Sequence, residues 1–264
     1  MAKKVMITGV YGLIAGAIYK HLVKTPDQYD VYGLARRRQD SDRVAEGEGV
    51  DVPAEKFVLS DLTDMDVLVK VFKGIDVVVH MAADPSGQGG WESVLKSNIM
   101  GAYNTFEACR LAGVPRIVYA SSIQASSGYR QEEPYKSFAD GKSDVYNRPV
   151  VTHTMPTRPM NIYASSKVWG EGLARIYSDA HGMSCLCIRI GWVVKEDKPR
   201  PHGASIWCSQ RDIVAINECC VNAPVDLKYD IFYGMSNNKY LWVDIDHARQ
   251  AIGYVPQDCA EDRM

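Results

Sequence analysis

The chain has 264 residues, 46% of them hydrophobic, and its 30 basic and 32 acidic side chains leave a formal net charge of −2. That length suits one large domain, or a core with a small appendage, and the near-zero charge offers no footprint for a nucleic-acid partner. No apolar run approaches a membrane span, and Met1-Ala-Lys-Lys-Val-Met-Ile enters a strand with no signal-peptide pattern, so a cytoplasmic protein without membrane partners is expected.

Residues 4–8 are a short apolar, partly β-branched run that stops at Gly9, a first strand. Residues 12–24 read as a helix, 30–34 as a second strand, 56–59 as a third and 64–72 as a second helix. Val77–His80 is a fourth strand, apolar on both faces. A long helix over 92–112 ends at Gly113, with Pro115 beyond it. A fifth strand at 116–120 is followed by roughly forty loop-like residues, an unusual length inside a compact domain. A helix over 163–181 and a sixth strand at 185–190 come next. After them the pattern loosens: a helix at 213–222, a strand at 231–234 and a closing helix at 244–252 before Gly253. Strands that are apolar throughout and alternate with helices predict an α/β fold, a doubly wound parallel sheet of Rossmann type.

The first strand runs into Thr8-Gly9-Val-Tyr-Gly12-Leu-Ile-Ala15. Gly9 permits a tight turn, Gly12 permits close backbone approach to a pyrophosphate, and Ala15 is small enough for helix to pack on strand. Where the second strand ends, a carboxylate would accept from a ribose 2′-hydroxyl. Here Arg36, Arg37 and Arg38 stand instead, and guanidinium groups match a 2′-phosphate, so NADP is expected over NAD. The alternative is that Arg36 lies over the adenine and the other two are solvated. The seven cysteines, an odd number without a C-x-x-C pair, read as reduced structural thiols, and no metal site is expected.

Tyr163-Ala-Ser-Ser-Lys167 places a phenol and an ammonium one turn apart on one helix face. An ammonium beside a phenol favours the phenolate, a usable proton acceptor. Ser122 lies just past the fifth strand, at the carboxyl edge where such sheets bind ligands, with Ser121 as the alternative hydroxyl.

Together these pieces resemble the extended short-chain dehydrogenase/reductases, the group that holds the NAD-dependent epimerases and dehydratases. The resemblance runs through Thr8-Gly9-x-x-Gly12, Asp61-Leu62, His80-Met-Ala-Ala83, Asn98, Ser121-Ser122, Tyr163-x-x-x-Lys167 and 248–256, in the family's order and over nearly the whole chain. It implies that Tyr163 is the general base or acid and that Lys167 holds the nicotinamide ribose. It further implies that Ser122 bonds the reacting oxygen and that Asn98 serves a water-mediated proton path; a packing amide is the alternative for Asn98. The implied cofactor contacts are Gly9, Tyr11, Gly12, Leu13, Ile14, Arg36, Arg37, Asp61, Leu62, Met81, Ala82, Ala83, Asn98, Lys167 and Ile190.

Within the family the chain is most similar to short uronate dehydrogenases and hexose dehydrogenases, which oxidise a sugar at C1 to a lactone. The implied substrate contacts are Asp84, Ser122, Ile123, Gln124, Tyr163, Gly191, Arg200, His202 and Trp207. An epimerase or carbonyl reductase with the same Ser-Tyr-Lys set is the alternative. Residues 1–190 would be the dinucleotide-binding core, with a long loop over 123–162 walling the substrate pocket, and 191–264 a small substrate-binding region. A homodimer through the long helices is the family's habit. Ile123, where the uronate enzymes have asparagine, departs from their pattern, and the 123–162 loop, longer than theirs, argues against a plain hexuronate.

Overall fold

A computed structural model describes residues 1–85 and 87–264. Seven strands form one all-parallel sheet: β1 (Lys3–Thr8), β2 (Tyr29–Ala35), β3 (Phe57–Leu59), β4 (Val77–His80), β5 (Arg116–Ser122), β6 (Ser184–Ile190) and β7 (Tyr229–Gly234). Their order is β3-β2-β1-β4-β5-β6-β7, so the chain reverses direction across the sheet between β1 and β4. That reversal opens a crevice beyond the carboxyl ends of the strands. Central strands β4, β5 and β6 are buried at every residue, as a sheet covered on both faces requires.

Helices α1 (Leu13–Leu22) and α7 (Gln210–Asn222) cover one face, where Val5, Ile7, Ile18, Leu22, Ile188, Ile213 and Ile216 share a core. The other face carries α2 (Met65–Phe72), α4 (Gly101–Ala112) and α6 (Ile162–His181), packed through Leu68, Phe72, Phe106, Ile117, Leu173 and Tyr177. The long helix expected over 92–112 is built in three joined pieces. These are α3 (Gly90–Val94), a π-helical stretch over Leu95–Met100, and α4.

The segment at 123–162 is more ordered than its composition suggests. It holds a 3₁₀ run over Ile123–Gln131, a short helix α5 (Tyr135–Ala139) and a second 3₁₀ turn at Val145–Asn147. Tyr129, Phe138 and Val151 bury against Leu241, Trp242 and Val243, a third apolar cluster outside the two sheet faces. Of the C-terminal part, α7 and β7 belong to the central sheet assembly, and α8 (Asp246–Ile252) follows them. Among the described residues, no helix is long and apolar enough to cross a membrane.

Candidate active site

The crevice between β1 and β4 continues into an elongated cavity of about 650 Å³. At one end lie Arg36, Arg37, Asp61 and Leu62, and in the middle Gly9, Tyr11, Gly12, Leu13 and Ile14. Met81, Ala82, Ala83 and Asp84 follow the end of β4, while Ser122, Ile123, Gln124, Tyr163, Lys167, Ile190 and Gly191 close the far end.

The middle is shaped for an anion. Gly9 has φ +70°, and a Cβ there would sit 2.9 Å from Ala82 Cα. Gly12 occupies the N-cap of α1 with no side-chain cap, which leaves the first N–H groups facing the cavity. Beneath this turn, Thr8 Oγ1 accepts from the Ala82 N–H (3.1 Å) and lies 2.9 Å from His80 Nδ1. Burial, reinforced by the Lys167 charge, depresses His80 to about 3, so the ring is neutral and Thr8 can donate to it. The phosphate turn and the loop after β4 are thereby locked together. These features fit the pyrophosphate of a dinucleotide.

At the far end, α6 is started by Asn161, whose side chain accepts from the Ala164 N–H at 2.8 Å. Asn161 Nδ2 also donates to Gln124 Oε1 (2.9 Å), joining the helix start to the segment after Ser122. Lys167 is wholly buried and donates to the Ala120 carbonyl at 2.8 Å, with Nζ 5.7 Å from the centre of the Tyr163 ring. Burial lowers its pKa to about 8, against a smaller upward pull from Asp84.

Tyr163 departs from the sequence expectation. Burial pushes its phenol above the ordinary value; hydrogen bonding with Ser122 and the charge of Arg43 pull it down, and Asp84 pushes it up. Burial, rather than a neighbouring ammonium, sets the direction of the Tyr163 shift.

Not every expected contact reaches the cavity. Asn98 is buried outside its lining, inside the π-helical stretch. Its Oδ1 accepts from the Asp84 N–H (2.7 Å), and its Nδ2 donates to the Asp84 carbonyl (3.2 Å) and to Ser166 Oγ (2.9 Å). Ser166 donates in turn to the Tyr163 carbonyl at 2.7 Å, so Asn98 ties the loop after β4 to α6. Trp207 is fully buried, and Arg200 is exposed with its guanidinium 6.0 Å from the Trp192 ring. His202 does line the cavity, its ring 4.9 Å from that of Trp192.

Trp192 and Arg43 line the cavity without having been singled out from sequence. Trp192 stands two residues past β6, a place its register could have flagged; Arg43 lies in an irregular segment with no periodic signal. The expected long substrate wall is also corrected. Of 123–162, only Ile123 and Gln124 line the cavity among the described residues, because the rest is drawn onto the cluster at 241–245.

A dinucleotide turn, a Rossmann switch point and a Ser-Tyr-Lys set in one cavity define a nicotinamide-dependent oxidoreductase scaffold. The chain belongs to the NAD dependent epimerase/dehydratase family, whose model matches residues 5–207. It is 33% identical to an NAD-dependent glucose-6-phosphate dehydrogenase of Haloferax volcanii over 98% of this chain and 94% of that one. It is 30% identical to a uronate dehydrogenase of Pseudomonas putida, covering 98% and 85% of the two chains. A solved uronate dehydrogenase variant from Agrobacterium tumefaciens, complexed with NAD, superposes with a TM-score of 0.78 at 27% identity, covering 99% of this chain and 87% of that one.

The Haloferax volcanii and Agrobacterium tumefaciens relatives overturn the expectation of NADP, the first being named NAD-dependent and the second complexed with NAD. Of the three arginines, Arg36 and Arg37 line the cavity and Arg38 does not. Arg38 donates to the Val52 carbonyl at 2.6 Å and lies against Phe57. Arg36 and Arg37 share their end of the cavity with the Asp61 carboxylate, which would repel an added phosphate.

Proposed function

We propose that this protein is an NAD-dependent sugar dehydrogenase that oxidises C1 of an anionic aldose, a sugar acid or sugar phosphate, to the lactone. The observation that carries this reading is the convergence of Ser122, Tyr163 and Lys167 with the Gly9–Gly12 turn on a single cavity. The Gly9–Gly12 turn would hold the pyrophosphate of NAD, which when bound would supply the hydride acceptor. Ser122 and Tyr163 hold the substrate hydroxyl; the Tyr163 phenolate, which the positive charges of Lys167 and of a bound nicotinamide would favour against the cost of burial, takes its proton while the carbon-bound hydrogen leaves with its electron pair as hydride. Lys167 orients the ribose and holds positive charge near the phenol. Fixing these groups in one arrangement removes most of the entropic cost of bringing them together.

Residues 191–264 supply the substrate wall through Gly191, Trp192 and His202. Relatives that match over almost the whole chain are dehydrogenases, which favours dehydrogenation over epimerisation. Free thiols at all seven cysteines favour a reducing cytoplasm as the working compartment. A stripe of exposed apolar residues on α4 and α6 favours a homodimer.

The test is a panel of glucose 6-phosphate, glucuronate, galacturonate and uncharged aldoses with NAD and with NADP, read as reduced nicotinamide. NAD-linked turnover on a phosphate or carboxylate sugar is expected, together with a loss of roughly 10²–10⁴-fold in Tyr163→Phe and retained NAD binding. Full activity in that variant, or turnover on none of the sugars, would overturn the proposal.

A further inference from the structure

Three metal-ligating side chains meet well away from the catalytic cavity, where the 123–162 segment crosses the edge of the sheet. His153 comes from that segment, Asp230 from edge strand β7 and His247 from the first turn of α8. The crossing is already pinned by the backbone: the Val151 N–H donates to Trp242 at 2.9 Å, and the Val151 carbonyl accepts from Asp244 at 3.1 Å. Two residues on, the rings of His153 and His247 stack with centroids 3.8 Å apart and planes 13° apart.

Both rings turn a nitrogen toward one carboxylate oxygen. His247 Nε2 lies 2.8 Å from Asp230 Oδ1, and His153 Nε2 lies 4.0 Å from the same atom. One ligand atom from each residue falls within 4.8 Å of the other two. A tetrahedral ion with bonds of about 2.0–2.1 Å would set its ligand atoms roughly 3.3 Å apart, between those two separations. His153 Nδ1 is buried without a hydrogen-bond partner among the described residues. The His153 ring is therefore held by stacking rather than by hydrogen bonds of its own, and since the lone pairs of two parallel rings run side by side, taking up an ion would require one ring to tilt out of the stack.

We propose that His153, Asp230 and His247 form a binding site for a borderline divalent cation of the Zn²⁺ class, fastening the 123–162 segment to the sheet edge. Two imidazoles and one carboxylate suit zinc rather than magnesium or calcium, which prefer all-oxygen shells. The three residues come from elements far apart in sequence, so the ion would act as a cross-link. All three are only half-buried, which leaves a coordination position open to water. The ion lies outside the catalytic cavity and takes no part in hydride transfer.

The test uses the full-length, tag-free, chelator-treated protein titrated with Zn²⁺ by calorimetry, and with Co²⁺ followed by its visible absorption. One ion per chain is expected, with affinity falling at least tenfold in His153→Ala and in His247→Ala and unchanged in Cys259→Ser. Zn²⁺ should raise the melting temperature of the wild type but not of the two histidine variants, whose folding is checked by circular dichroism without metal. No binding at about 100 μM Zn²⁺, or equal affinity in wild type and both histidine variants, overturns the proposal.

Discussion

Lys167 shows how much of a proposed catalytic residue a sequence can carry. Its spacing from Tyr163 predicts a shared face on α6, and both line the cavity. Its electrostatic state is decided by burial, which no spacing reveals. With an ordinary value of 10.5 and a folded value of about 8, the ammonium is disfavoured by folding. Below pH 8 both folded and unfolded chains hold the proton, and the penalty, about 3 kcal/mol, is complete. Between pH 8 and 10.5 the unfolded chain holds more protons, so this contribution makes stability rise with pH. Lys167→Met should therefore be stabilised relative to wild type at pH 7, and the gap should close towards pH 10 in urea denaturation. A gap that does not change with pH would mean that Lys167 is not charged and buried as described.

The same limit explains Asn98, Arg200 and Trp207. Motif position identifies all three as contacts. Their hydrogen bonds and burial show an amide spent on Asp84 and Ser166, a guanidinium outside the lining, and an indole sealed in the core. Residue type and order fix what a side chain can do, whereas its orientation depends on partners distant in sequence.

At the scale of elements, periodicity locates every strand within a few residues, because apolar β-branched runs and glycine stops are local signals. The 123–162 segment is the exception: its apolar residues are irregularly spaced and find their partners at 241–245. The element that matters most for the site is α6, held to the sheet by a buried ion pair. Arg189 on β6 donates to Glu171 from Nε and Nη2, both at 2.9 Å, and Ser121 donates to Glu171 Oε1 at 2.6 Å. Arg189 Nη1 donates also to Tyr233 on β7 at 2.8 Å. Glu171 lies one turn beyond Lys167, and Ser121 adjoins Ser122, so the network supports the proposed Ser122, Tyr163 and Lys167 set. Removing one partner of a buried pair strands the other, at a cost of about 3–5 kcal/mol. Glu171→Gln should lose stability of that order in chemical denaturation, and Glu171→Leu combined with Arg189→Met should recover much of it. A loss below about 1 kcal/mol in Glu171→Gln would show that the pair is not holding α6.

At the scale of the whole molecule, the outer side of α4 and α6 is the surface least suited to water. Ile162, Trp169 and Ile176 recur every seven residues along α6, a spacing that puts them on one face, and they are 57%, 44% and 58% exposed. Met100, Tyr103 and Leu111 are exposed on the neighbouring π-helical stretch and α4. Trp169 Nε1 donates to the Ile99 carbonyl at 3.3 Å, so the two helical elements present their apolar residues on a connected surface. Exposed apolar residues at this spacing support the proposed homodimer, in which a second copy of the same chain would pair stripe against stripe about a two-fold axis. With a chain mass of 29.4 kDa, light scattering during gel filtration should report twice that value at micromolar concentration. Trp169→Glu with Ile176→Glu places charges in the centre of the contact and should shift the protein to the monomer mass. Neither side chain is among the residues lining the cavity, so the monomeric variant should keep NAD binding. A wild type that elutes at the monomer mass would sink the dimer, and a doubly substituted protein that stays dimeric would move the interface to another face.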